Sequence, residues 1–346
     1  MKANKSLRVG IVGCGHAAER WHIPSLLKMK DVRIAAVCDT NENLAKRTAE
    51  SFRINRYYAD LSQMLKRENL DMVDICTPPQ THPTLSIQAM EAGCHILVEK
   101  PMALSIREVD EMVNASKGNH VKLCQVHNKL FEPVMMKARA TVSEGGIGDL
   151  TGIDIKGLSL TGAVLLMNRE HWCHKLPGGI FTETLPHSIY LAAAFLGNLE
   201  PVAVHSRKSR SDDWVVADEI RITLKGRKGM GGISHSCNSP QNKVIIDING
   251  TKKHLRIDLW NSVMTEYGVG GVSRPARALE NLSQSLSILA STVSTTLSVI
   301  SGRFHWGHYI LIQRFIESIQ NDTEPPVTVE EAREVIRVLE KITAQI

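Results

Sequence analysis

A short apolar run, Leu7–Val12, ends directly in Gly13-Cys14-Gly15-His16-Ala17-Ala18, and the pattern beyond it is helical. A strand that turns into a helix through small residues leaves little choice of local geometry. Gly13 permits the tight turn, Gly15 lets backbone approach a pyrophosphate, and Ala18 lets the helix pack closely on the strand. The helix start then offers unpaired N–H groups to phosphate, so Gly13, Cys14, Gly15, His16 and Ala17 are the candidate dinucleotide contacts. The second strand, Val32–Cys38, strengthens the case because it closes on Asp39, about twenty residues beyond the glycines, where a carboxylate accepts hydrogen bonds from an adenosine ribose. A solvated loop carboxylate would read the same way. No arginine follows to meet a 2′-phosphate; Asn41 and Glu42 come next, which favours NAD over NADP.

Alternation of strand and helix continues through 72–76, His95–Val98 and 121–125, which predicts a doubly wound parallel sheet, a Rossmann fold. After residue 150 the texture changes. Candidate strands at 150–159, 201–206, 215–224, 230–235, 243–248 and 254–259 have few helices between the later ones, which predicts a mainly antiparallel sheet in an α+β domain. Helices return at the end, one of them opened by Thr328 with Glu331 three residues on, a capping box after Pro325-Pro326. The expected division is 1–126 for NAD binding and 127–346 for substrate binding and oligomerisation.

With 346 residues, 43% hydrophobic and 22% charged, the chain can bury two cores. Its 41 basic and 36 acidic residues are spread along the sequence without a basic block, which argues against nucleic acid. Seven cysteines show no C-x-x-C spacing, and Cys38, Cys76 and Cys124 sit at apolar strand positions, as expected of reduced thiols in a cytoplasmic protein. The first eight residues lack the apolar run of a secretion signal. Residues 281–302 carry no charge, but nine serines and threonines between Ser283 and Ser298 alternate with Leu282, Leu286, Leu289, Val293 and Leu297 at helical spacing. That pattern predicts an amphipathic helix laid on the protein's own core rather than a membrane span, with a membrane-surface or partner helix as the rival reading.

Two loops lie at the carboxyl ends of parallel strands, where open α/β sheets bind ligands: Thr77-Pro78-Pro79-Gln80-Thr81-His82 and Glu99-Lys100-Pro101. Thr77, Pro78, His82, Glu99 and Lys100 are therefore expected to face the cofactor. An amine placed beside a cationic ring can transfer protons, because desolvation disfavours ammonium; an exposed strand-end lysine is the alternative.

These residues, in order and spacing, resemble the Gfo/Idh/MocA oxidoreductases, the family of glucose-fructose oxidoreductase and inositol dehydrogenase. The resemblance covers nearly the whole chain. It rests on Gly13 to Ala18, Asp39, the Thr77-Pro78-Pro79 loop with His82, and above all Glu99-Lys100-Pro101. Asn128 to Phe131 with Pro133, Gly145 to Gly148, and Gly178-Gly179 ahead of His187 match as well. What it implies is a Rossmann domain joined to an open-faced sheet, and oxidation of a sugar or polyol with a bound nicotinamide cofactor, in a homo-oligomer.

The segment Gly178-Gly179-Ile180-Phe181-Thr182-Glu183-Thr184-Leu185-Pro186-His187 looks like the family's active-site stretch, with glutamate in place of its aspartate. If a helix starts near Thr182 or Thr184, Glu183 and His187 share a face, and Pro186 falls in a first turn that needs few donors. Histidine can then take the proton of a substrate hydroxyl while the carboxylate orients it. Read by themselves, His187 is equally a histidine packed beside Tyr190, and Glu183 a helix-start carboxylate. Asn128 and Trp172 are candidate substrate contacts, with a turn residue and a buried core ring as their plain readings. His171, Cys173 and His174 lack a second ligand pair for zinc, so no metal is expected. The expectation is an NAD-dependent dehydrogenase in which Lys100, His187 and Glu183 serve catalysis on a sugar, nucleotide sugar or cyclic polyol. A non-catalytic NAD or sugar sensor and an NAD-assisted glycosidase are the rival readings.

Overall fold

The computed structural model describes residues 6–268, 273–302 and 304–346. They form two compact units, one running to Asn128 and taking back His308–Arg337, the other comprising Lys129–Gly307 and Val338–Ile346.

The first unit holds six parallel strands, β1 (Leu7–Val12), β2 (Val32–Cys38), β3 (Tyr57–Tyr58), β4 (Met72–Ile75), β5 (His95–Val98) and β6 (Leu123–Gln125). Their order is β3-β2-β1-β4-β5-β6, so the sheet reverses its winding between β1 and β4, where doubly wound sheets take their ligands. Val9, Ile11, Val37, Ile75 and Leu97 are wholly buried, as expected of strands covered on both faces. The intervening helices are α1 (Ile23–Leu26), α2 (Glu42–Phe52), α3 (Leu61–Arg67), α4 (His82–Glu91) and α5 (Ile106–Gly118). Local chemistry sets their starts: the Asn41 and Asp60 side chains accept the Leu44 and Gln63 N–H groups, and Ser105 with Glu108 forms a capping box. β3 was not foreseen, because two residues show no alternation.

The second unit is built on β7 (Leu150–Leu158), β8 (Leu199–Arg207), β9 (Glu219–Gly226), β10 (Gly229–Ser236), β11 (Lys243–Gly250), β12 (His254–Asp258) and β13 (Val263–Tyr267). In the order β13-β12-β11-β7-β10-β9-β8, every neighbouring pair is antiparallel except β7 with β10. Period-two alternation separates the faces: Ile220, Ile222 and Leu224 of β9 are buried, whereas Arg221, Thr223 and Lys225 are exposed. The unit's helices are α6 (Pro133–Ser143), α7 (Leu160–Met167), α8 (Ile180–Leu196) and α9 (Arg274–Ile300). α8 packs on the sheet through Phe181, Leu185, Ile189 and Leu196, all fully buried. It begins at Ile180, earlier than the sequence suggests, so Pro186 lies inside the helix and not in its first turn. The Thr182 carbonyl thereby loses its helical donor.

α9 corrects a second expectation. None of its residues is buried, and the large apolar side chains of its stripe point to solvent, among them Leu282, Leu286 and Leu289 at 60%, 65% and 60% exposure. The half-buried face is instead the polar one, Glu280, Gln284, Ser287, Ser291 and Thr295. Among the described residues, no helix is long and apolar enough to cross a membrane.

The chain ends in α10 (Gly307–Gln320) and α11 (Val329–Thr343). The sequence assigns 308–337 to the second domain, but by compactness they group with the first unit. Specific contacts explain why: Arg333 pairs with Asp110 at 2.7 Å, Lys122 with Asp322 at 3.0 Å, and His308 stacks on Trp21 with ring centroids 5.1 Å apart.

Candidate active site

In the first unit the glycine loop is locked from two sides. The Gly13 N–H donates to the Cys38 carbonyl at 2.8 Å, and the Cys14 N–H donates to the Asp39 carboxylate at 2.9 Å. Gly13 has φ +91°, and a Cβ there would lie 2.8 Å from the Cys76 carbonyl carbon and 2.9 Å from the Thr77 methyl. Glycine is therefore required for both conformation and space. Gly15 differs: its Cβ position has nothing within 4 Å, so the open volume over the loop lies at this residue. That cradle fits a pyrophosphate approached by backbone, with His16 exposed and Ala17 half-buried at the helix start. The Asp39 carboxylate also accepts the Asn41 N–H at 2.9 Å, is half-buried, and keeps lone pairs for a ribose. The Cys14 thiol is buried and pushed up to about 12 by burial and then by Asp39, so it is no ready nucleophile.

Past the loop the helix widens. Ala18–His22 form a π-turn in which the Ile23 N–H reaches the Ala18 carbonyl, immediately before Pro24, which has no N–H and would crowd the preceding turn of a regular helix. The wider turn carries His22 into the core. Its Nδ1 lies 2.8 Å from Asp74 on β4 and its Nε2 3.0 Å from Glu99 at the end of β5, with the ring wholly buried. Burial is the largest influence and works against the charged ring, but the charge of Asp74, Cys76 and the hydrogen bonds to both together outweigh it and raise the histidine well above its ordinary value. Glu99 is likewise opposed by burial, yet the hydrogen bond and charge of His22 pull it down to about 2. The result is an imidazolium between two carboxylates. Two groupings of possible metal ligands converge here, His22–Asp74–Cys76 and His22–Glu99–His308, but both nitrogens of His22 already face carboxylates as in ion pairs.

The Glu99 carboxylate, expected to face the cofactor, is thus turned inward, and its other oxygen accepts the Lys100 N–H at 2.9 Å. His82 is also buried rather than facing a crevice. Its Nδ1 lies 2.8 Å from the Pro101 carbonyl and its Nε2 2.7 Å from that of Thr77, so the ring ties the two strand-end loops together. Burial pulls its pKa down against these two carbonyls. Lys100, Thr77 and Pro78 are half-exposed. Asn128 is buried beside His308, with its amide nitrogen 3.4 Å from Nδ1 of that ring. The structure therefore gathers Gly13, Cys14, Asp39 and Thr77 at one loop cluster, and Glu99, Lys100, His22 and His308 at the end of β5.

Sequence reasoning missed His22, Asp74 and His308. The visible signal was Asp74, an acid in the continuously apolar Met72-Val73-Asp74-Ile75, since such a residue is not buried without a partner.

In the second unit α8 presents Glu183, Thr184 and His187 on one half-exposed face, between buried Thr182, Leu185, Pro186 and Ser188. His187 Nδ1 meets the Tyr190 hydroxyl at 2.8 Å, and that oxygen accepts the Lys129 N–H at 3.1 Å. Glu183 lies one turn earlier and close enough to Cys173 to add to the burial that pushes that thiol up to about 12. Trp172 is half-buried against His171, with ring centroids 5.0 Å apart.

Residues 7–127 match the profile of an oxidoreductase family's NAD-binding Rossmann fold, and 139–346 that family's C-terminal alpha/beta domain. "Oxidoreductase P35" of Formosa agariphila is 27% identical over 246 residues, 64% of this chain and 77% of that protein. The D-glucoside 3-dehydrogenase of Escherichia coli is 29% identical over 144 residues, 42% of this chain and 41% of that protein, so this match spans less than half of either. In three dimensions the chain is similar to the WlbA dehydrogenase of Bordetella pertussis in complex with NADH and UDP-GlcNAcA. The TM-score is 0.81 at 21% identity, covering 98% of this chain and 95% of that one, a likeness of fold.

Proposed function

The chain belongs to the Gfo/Idh/MocA oxidoreductase family, and from that premise we propose that it moves a hydride between NAD and a secondary alcohol of a sugar, nucleotide sugar or cyclic polyol. The observation that carries the reading is the open cradle at Gly15, beside a loop pinned by Asp39 and at the point where the sheet reverses its winding. Backbone N–H groups of Gly15, His16 and Ala17 hold the pyrophosphate, those of Gly13 and Cys14 being spent on Cys38 and Asp39, and Asp39 accepts from the adenosine ribose. When bound, the nicotinamide supplies the hydride acceptor or donor.

The chain's own residues do the rest. His187 takes the substrate hydroxyl proton, with its ring positioned by the Tyr190 hydroxyl at Nδ1. Lys100 shares the proton transfer, its backbone held by Glu99. Glu183, in the family aspartate's place, favours the protonated ring electrostatically. Asn128 and Trp172 contact substrate. A sugar substrate is supported by the D-glucoside 3-dehydrogenase relative, and NAD and a nucleotide sugar by the ligands of the WlbA structure. We assign the chain no partner beyond small molecules and its own copies, and place it in the cytoplasm.

Screening sugars, inositols and UDP-sugars for NAD reduction, followed by NADH absorbance, tests the reading. NADH should form with at least one class. NAD binding without turnover on any of them would make the protein a sensor, and bond cleavage without net NADH would make it a glycosidase.

A further inference from the structure

α9 spans 27 residues, about 40 Å, and lies beside the edge strand β13. Its apolar stripe, Leu279, Leu282, Leu286, Leu289, Val293 and Leu297, is 49–68% exposed, whereas its hydroxyl-bearing face is turned toward the protein. A soluble chain gains nothing from placing serine inward and leucine outward unless the leucines are covered by something else. From Leu279 to Val293 the steps alternate between three and four residues, the spacing of a helix-pairing seam.

Three kinds of occupant can cover such a stripe, and charge separates them. Interfacial helices on anionic lipid carry lysine and arginine on their polar face. Residues 281–302 carry none, and the polar face here is half-buried at Glu280, Gln284, Ser287, Ser291 and Thr295. A foreign protein would have to supply a matching apolar groove of its own. A second copy of the same chain requires only self-complementarity. Covering the stripe removes on the order of 700 Å² per chain, close to the roughly 800 Å² per partner that a stable interface buries. Orientation also follows from charge. Arg274 and Arg277 lie at the amino-terminal end, so parallel pairing would bring like charges and like dipole ends together, and antiparallel pairing keeps them apart.

We propose that α9 is a self-association arm, through which two copies of this chain pair antiparallel across a two-fold axis near Leu289. The proposal concerns α9 alone and stands apart from the catalytic reading.

Sedimentation equilibrium of the full chain tests it against the Leu286→Glu/Leu289→Glu double variant. The wild type should be dimeric, and the variant's dissociation constant should rise at least ~100-fold. Unchanged circular dichroism shows that the variant folds, as expected because both side chains are already exposed. Cysteine cross-linking gives an independent reading, since six of the seven native thiols are buried. Under mild oxidation Leu289→Cys should form a covalent dimer, whereas Leu282→Cys, about 20 Å from its own copy in antiparallel register, should not. A monomer at all concentrations, a dimer indifferent to the double variant, or cross-linking at 282 in preference to 289 would each overturn the proposal. So would a monomer that co-sediments with phosphatidylcholine/phosphatidylglycerol vesicles through the same leucines.

Discussion

The two units prepare their chemical groups in opposite ways. At the end of β5 in the first unit, Glu99 is held by a buried imidazolium that Asp74 also grips, and Glu99 in turn holds the Lys100 backbone. Midway along α8 in the second unit, His187 rests on a neutral hydroxyl, and its face of the helix is half-exposed. Buried charges are costly to leave unpaired, so the first arrangement is rigid and intolerant of change. A half-exposed hydroxyl contact is worth little and can be replaced. The difference teaches where variation is tolerated: the groups at the end of β5 are bound into the core, and those on the half-exposed face of α8 are open to adjustment.

The largest expected effects test whether both sides serve one reaction. If both are the proton-transfer groups we propose, Lys100→Met and His187→Asn should each lower kcat by ~10²–10⁴-fold while the NAD dissociation constant stays within a few-fold. Parallel loss of NAD binding and turnover would break the division of labour between the units.

Next comes the buried network. His22→Leu leaves Asp74 and Glu99 without their shared cation and should cost about 3–5 kcal/mol in urea unfolding. A loss below ~1 kcal/mol would show that the imidazolium contributes no more than an ordinary hydrogen bond.

The same network sets a pH dependence. Glu99 is held at about 2 in the folded chain against roughly 4.3 when unfolded, so its contribution is complete above the unfolded value and is lost as pH falls through that interval toward 2. His22 is raised, so its contribution is complete below roughly 6.5 and fades only as pH climbs through its higher folded value. Urea midpoints measured from pH 7 down to acid should therefore fall in the wild type and fall less steeply in Glu99→Gln. Identical acid limbs would sharpen the question of which carboxylate is responsible.

The smallest effect belongs to the second unit. Tyr190→Phe removes the hydroxyl between His187 and the Lys129 N–H and should cost about 1 kcal/mol of stability. Its kcat should drop by a factor smaller than for His187→Asn. A stability loss rivalling that of His22→Leu would erase the contrast between the two units.

Much of the scaffold could be read from neighbouring residues. β1, β2 and β5 lie where the apolar runs place them, and the glycine loop follows β1 as its small residues require. The inward turn of Glu99 and the burial of His82 could not be read, because their partners are distant in the chain: His22 is separated from Asp74 by 52 residues and from Glu99 by 77, and His82 from Pro101 by 19.

By itself the sequence determined most of the elements, β3 and β13 excepted, the parallel and antiparallel halves, and which residues share a face, because steric turns and side-chain periodicity are local properties. Only the tertiary structure decided which face meets the protein. It turned the serines of α9 inward, returned 308–337 to the first unit, and placed an imidazolium between Asp74 and Glu99. Periodicity defines a face without saying what covers it, and a buried charge finds its counterion only once distant segments pack.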